Sequence, residues 1–241
     1  MSNSETANAE NGKKGRFWNR NLLYSIGILL FLIIGGGLIV PSLGTSPHYS
    51  LHMQSMSNLR LIGIALFNYS TSRPDGKFPP AYVADDEGRP KHSWRVLILR
   101  ELEHGELYEA YDFDKPWDHP DNLKVAEQMP SVYASPFNRE QRKLGLTPYQ
   151  AVSAPGTFLG TTRAVTLREL ARSNSQRIMI VADFDDPVPW TKPEDISPAE
   201  IISRLQQFRR HSPSQFHVLR SDGSVNAINH EMTAEELGKS F

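Results

Sequence analysis

The sequence predicts an α+β protein: an N-terminal transmembrane helix, then a head in which a long helix packs on a mainly antiparallel sheet. Three observations carry this. Residues 22–40, LLYSIGILLFLIIGGGLIV, run nineteen positions without a charge. Apolar residues recur at three- and four-residue spacing across 50–70, as one face of a helix requires. Helical patterns then gather in the first half and strand-like runs with turn signals in the second, which argues for helices segregated on an antiparallel sheet.

The order of elements begins with residues 1–21, a polar, basic tail whose composition predicts disorder. At about 1.5 Å per residue, a helix over 22–40 spans roughly the hydrocarbon core of a bilayer. Lys13, Lys14, Arg16 and Arg20 precede it, whereas residues 41–60 hold only Arg60 among Lys and Arg. The positive-inside rule places the tail in the cytoplasm and the head across the cell membrane, as a single-pass protein. A cleaved signal peptide has a shorter apolar region, about 7–15 residues. The length of the run favours an uncleaved anchor, although Ser42-Leu43-Gly44 offers a small-x-small site and leaves cleavage after Gly44 open.

Pro41, Gly44 and Pro47 interrupt the chain, giving a linker over 41–49 and a head over 50–241. In the first head helix, Met56, Leu59, Ile62, Leu66 and Tyr69 share one face, which Ile64 and Phe67 widen. Asp85-Asp86-Glu87-Gly88 supplies a hairpin turn in which Gly88 is free to take positive φ. Residues 94–111 read as a second helix with Val96, Leu99, Leu102 and Leu107 inward. Pro116, Pro120 and Asp121 frame a third through Met129. Residues 149–158 and 177–184 read as strands. Ser197-Pro198-Ala199-Glu200 is a capping box with proline at the first helical position. FHVLR, the turn Ser221-Asp222-Gly223 and SVNAI make a terminal hairpin, and Thr233 caps a last helical turn closed by Glu236.

The 241-residue chain carries 26 basic and 27 acidic residues. Four basic and two acidic lie in the first twenty, which leaves 22 and 25 beyond the anchor, a net of −3. That balance argues against a nucleic-acid partner. The absence of cysteine excludes disulfides, thiol catalysis and thiolate metal sites.

The blocks NLRLIGIALFNY (58–69), FPPAY (78–82), SWRVLILRELEHGELYEAYDFDKPWDHPDN (93–122), VPWTKPED (188–195) and SDGSV (221–225) resemble, in order and spacing, the planctomycete domain-of-unknown-function 1559 family. The resemblance implies a pilin- or pseudopilin-like head on an N-terminal membrane helix; the family is also classed as solute-binding-like. This chain departs from it at named places. Residues 16–26, RFWNRNLLYSI, lack the glycine–phenylalanine cleavage start and the glutamate of processed pilins. His211 precedes Asp222-Gly223 by ten residues, and Ser135-Pro136 stands where relatives often have Cys-Pro. These departures imply a pilin-like head on an ordinary anchor rather than a filament subunit.

The acidic clusters Asp85-Asp86-Glu87, Asp112-Phe113-Asp114 and Asp183-Phe184-Asp185-Asp186 are the places where calcium would bind outside the cytoplasm, yet none has the spacing of a calcium loop. Of the eight histidines, none forms a His-Glu-x-x-His helix. His48 and His52 lack acidic neighbours. His211 or His217 with Asp222 could be drawn as an acid–base pair, but an aspartate before a turn glycine more often holds its own backbone. Gly-x-Ser-x-Gly and phosphate-cradling glycine loops are absent. The expectation is therefore no enzyme, no metal and no cofactor. The candidate binding or packing residues are aromatic: Trp117 and Trp190 in their proline-rich loops, with Phe78 and Tyr82 of FPPAY. They either seal the core or line a partner site, since Trp and Tyr are enriched in binding hot spots. The function expected is a structural or interaction component of the cell envelope or a secretion assembly. The alternative is a solute-binding module with its pocket between the Trp117 and Trp190 loops, its ligand unidentified.

Overall fold

The computed structural model describes residues 47–172, 176–211, 216–228 and 233–241. Leu51–Phe241 form one unit; of the other, Met1–Ser50, the described residues are 47–50. The expected tail, the anchor at 22–40 and most of the linker lie outside the described residues. Among the described residues no helix is long and apolar enough to cross a membrane.

Helix α1 runs Pro47–Thr71. Leu59, Ile62, Leu66 and Tyr69 turn inward as their spacing requires, and Met56 packs against them half-buried. Ile64 does not widen that face: it is 57% exposed. It follows Ile62 by two residues, about 200° further round the helix. Phe67 does join the core, edge-on to Phe78. At Gly63 the helix backbone comes down on the sheet. A Cβ there would sit 3.0 Å from a Leu219 methyl, so any larger residue would have to push the Leu219 side chain aside.

Strands β1 (Tyr82–Ala84) and β2 (Pro90–Ser93) pair antiparallel around the expected turn. Gly88 has φ 81°, and Asp85 Oδ1 accepts from the backbone N–H groups of Glu87 and Arg89. The single helix expected over 94–111 is instead two short ones, α2 (Trp94–Leu97) and α3 (Gly105–Ala110). Between them Glu103 takes φ 64°, and the His104 N–H donates to Leu99 O at 2.8 Å. The leucine spacing suits both arrangements: Val96 and Leu99 are buried, and Leu102 and Leu107 pack on the core. Helix α4 (Pro120–Ala126) is capped by His119, whose Nδ1 accepts from the Asp121 N–H, and it ends before Met129.

A short α5 (Arg139–Lys143) leads to β3 (Leu146–Thr147) and β4 (Tyr149–Ala151). The expected strand over 149–158 therefore stops early; only a single bridge, Val152 to Ile196, follows it. After α6 (Leu167–Arg172) come β5 (Ile178–Ala182) and β6 (Val188–Pro189), the latter paired with β3. Helix α7 (Pro198–His211) begins at the expected capping box, with Ser197 and Glu200 exchanging hydrogen bonds. Strands β7 (Phe216–Arg220) and β8 (Val225–Ile228) form the terminal hairpin, and α8 (Ala234–Gly238) has its Thr233–Glu236 box.

The main sheet has the order β4-β5-β7-β8, antiparallel throughout. Both of its faces are covered. Ile180, Ala182 and Leu219 belong to the core under α1, whereas Ile178, Val181, Phe216 and Val218 join Ile201 and Leu205 of α7 on the other side. Strand β5 is buried along its whole length, which explains why it reads as an unbroken apolar run rather than an alternating one.

Candidate functional site

The four aromatic candidates separate into two pairs. Phe78 is buried, with its ring against Phe67 and Phe158. Trp190 is 1% exposed; its indole N–H donates to Ala126 O at 2.8 Å and its ring stacks on Tyr133. Both are core. Tyr82 and Trp117, each half-buried, instead share the wall of an open cleft of about 550 Å³ with Lys192, Glu194 and Asp195. Of the two sequence readings, packing or lining a site, the partly exposed Trp117 keeps both, because it packs at the core edge and borders the cleft. Its backbone N–H donates to Lys91 O at 3.2 Å, which places the indole beside the hairpin β1–β2 at the edge of the core. The cleft lies between the Trp117 loop and the segment after Trp190, and Trp190 itself takes no part in it.

Beneath the cleft is a buried ion pair that reading along the chain did not single out. Arg95 Nη2 donates to Asp195 Oδ1 at 2.6 Å, and the two side chains are 0% and 3% exposed. The same guanidinium donates to Tyr149 O at 2.9 Å and Ser93 Oγ at 2.8 Å, and reaches Lys192 O and Glu194 O at 3.4 and 3.3 Å. Asp195 Oδ1 also accepts from Trp94 Nε1 at 3.1 Å and the Ala151 N–H at 2.7 Å. Burial pushes the Asp195 carboxyl above its ordinary range, against the pull of Arg95. One signal existed in the sequence: an arginine inside the apolar run WRVLIL, where a surface residue would be out of place.

A second polar line crosses from α1 to the sheet. His52 Nδ1 and His217 Nε2 are 3.0 Å apart, and His217 Nδ1 lies 2.8 Å from Ser55 Oγ. Ser55 contacts Tyr149 Oη at 3.5 Å, and Asn58 Nδ2 donates to that oxygen at 3.1 Å. Burial pushes the Tyr149 hydroxyl up to about 12. Although serine and histidine meet here, Ser55 is fully buried, so no substrate has access to it. His217 faces this line and not Asp222, whose Oδ1 accepts from the Ser224 N–H in an Asx-turn. The side chains of His48 and His211 lie outside the described residues.

The acidic clusters are tied to basic neighbours. Asp85 pairs with Arg89, Asp112 with Lys115, and Asp183 and Asp186 converge on Arg204. Among the described residues no group of three or more histidine or carboxylate side chains is placed to hold a metal ion.

Residues 52–179 match the family described as "Protein of unknown function (DUF1559)". The match spans more than half of the chain, which belongs to this family. Neither the comparison with curated proteins nor that with solved structures finds a match.

Proposed function

We propose that the protein is a membrane-anchored, pseudopilin-like head that acts outside the cytoplasm by binding, as a structural or interaction component of the cell envelope or of a secretion assembly, and not as an enzyme. The observation that supports this best is the outer face of α1. Met53, Leu61 and Ile64 are exposed on it, and Arg60 is the only Lys, Arg, Asp or Glu in Pro47–Thr71. A long, nearly uncharged helical face with aliphatic side chains in water is the kind of patch that marks protein contact. The buried Ser55, held by His217, and the carboxylates Asp85, Asp112 and Asp183, paired with Arg89, Lys115 and Arg204, argue in the same direction. Crosslinking in the native membrane from photoreactive residues at 57, 61 and 64 tests the reading. Discrete adducts with envelope proteins are expected from these positions and not from Leu144, which is more exposed than either Leu61 or Ile64. Equal labelling from both would overturn it.

A second reading, solute binding, is favoured by the cleft between Trp117 and the 192–195 segment. Its size falls within the range of about 300–1,000 Å³ typical of small-molecule sites, and it places an aromatic ring beside convergent polar groups.

A further inference from the structure

The cleft has an acceptor left over. Asp195 lines it, and its side chain is only 3% exposed. Oδ1 accepts three hydrogen bonds, from Arg95, Trp94 and Ala151, whereas Oδ2 is buried and accepts none. Buried carboxylate oxygens are rarely left this way, because the group has given up water without gaining a donor. A ligand that brings a donor restores the loss. The 192–194 segment, which lines the cleft beside Asp195, is held to Arg95 by that residue's two longest hydrogen bonds, 3.4 and 3.3 Å, and an outward shift of it would widen the cleft towards Oδ2.

The charges around the cleft cancel. Arg95 pairs with Asp195, and Lys192 pairs with Glu194. A charged ligand would find no unmatched counter-charge here, so the donor belongs to a neutral molecule. Trp117 supplies a flat apolar wall. Lys192 Nζ lies 5.9 Å from its ring centroid, at the outer limit of a cation–π contact, and is a loose cover that a flat ligand can displace.

We infer that this cleft binds a neutral, hydroxyl-bearing ring, a saccharide, laid against Trp117 with one hydroxyl donating to Asp195 Oδ2. The inference rests on the solute-binding reading and names its ligand class. The test uses the full chain in detergent. It is screened on an array of neutral oligosaccharides, and by calorimetry against acidic oligosaccharides, free amino acids and polyamines. At least one neutral oligosaccharide should bind. Trp117→Ala should weaken that binding at least tenfold and Trp117→Phe by less, with both variants still folded and melting cooperatively above the assay temperature. An amino acid, polyamine or acidic sugar that binds instead, and is lost in Trp117→Ala, would overturn the saccharide class and leave solute binding standing. Neutral-sugar binding that ignores Trp117→Ala would place the site elsewhere and overturn the inference. Binding of nothing in any set would overturn both.

Discussion

His217 Nε2 lies 3.0 Å from His52 Nδ1, so a histidine buried near the start of β7 meets a histidine on α1. Burial, with His52 beside it, pushes His217 down to about 4. The unfolded chain takes up this proton near the ordinary value of about 6.5, and the folded chain does not until the pH nears 4. The stability linked to His217 is therefore complete above about pH 6.5 and is lost as the pH falls through the window towards 4. At pH 5 the loss should be about 2 kcal/mol, since each unit of separation is worth about 1.4 kcal/mol. Denaturant unfolding at pH 7.5 and pH 5 measures it. His217→Asn should remove most of the difference; an unchanged difference would show that another group is responsible.

The Arg95–Asp195 pair makes a different prediction, because neither charge can return to water in the fold. Arg95→Met leaves Asp195 buried beside Trp94 without its cation, and Asp195→Asn leaves the guanidinium without its anion. Each should cost about 3–5 kcal/mol. The double substitution should cost less than the two singles added together, because it leaves no orphaned charge. Additive costs in equilibrium unfolding would show that the pair is not coupled.

The parts of this fold legible in the sequence were those written in local periodicity and turn chemistry. Leu59, Ile62, Leu66 and Tyr69 identify α1, Gly88 and Gly223 identify hairpin turns, and Ser197 and Thr233 mark helix starts. The break at Glu103 was not legible, since the leucines of 94–111 reach the core in one helix or in two. The site was less legible still. Trp117 and Trp190 sit in similar proline-rich loops, yet one borders the cleft and the other stacks on Tyr133. What separates them is their place in the tertiary structure, as for His217 and Ser55, which are 162 positions apart.

That difference between the tryptophans is measurable. Trp190→Ala empties a fully buried site and should cost about 3–5 kcal/mol. Trp117→Ala removes a partly exposed ring and should cost less, about 1–3 kcal/mol. Thermal melts of the two variants compare them directly, and equal losses would contradict the division into core and cleft.

Two outcomes test the proposed anchoring of the chain. Protease added to intact spheroplasts should degrade the head and spare the tail, as the basic residues before 22–40 require. Protection of the head would reverse the orientation. Intact-mass measurement should find no species beginning at Phe17, because Gly15-Arg16-Phe17 is the nearest candidate to a prepilin cleavage site and RFWNRNLLYSI lacks the accompanying acidic residue.

The acidic cluster after β5 distinguishes an ion pair from a cation site. Arg204 donates to Asp183 through Nη1 and to Asp186 Oδ2 through Nη2 at 2.6 Å, and the Asp183 side chain is fully buried. Asp183 Oδ1 also accepts from the Asp185 and Asp186 N–H groups at 3.1 and 3.3 Å. With the guanidinium between these carboxylates, a calcium ion would have to displace a cation already in place. A calcium site at a hundredfold excess over its dissociation constant would add about 2.7 kcal/mol. Melts in excess chelator and in millimolar calcium should instead coincide. Arg204→Ala should destabilise the chain by about 3–5 kcal/mol in chelator, because it leaves Asp183 buried without its partner. A calcium-dependent rise of several degrees in the unsubstituted chain, abolished by Asp183→Asn, would show that the carboxylates hold a metal and that Arg204 yields to it.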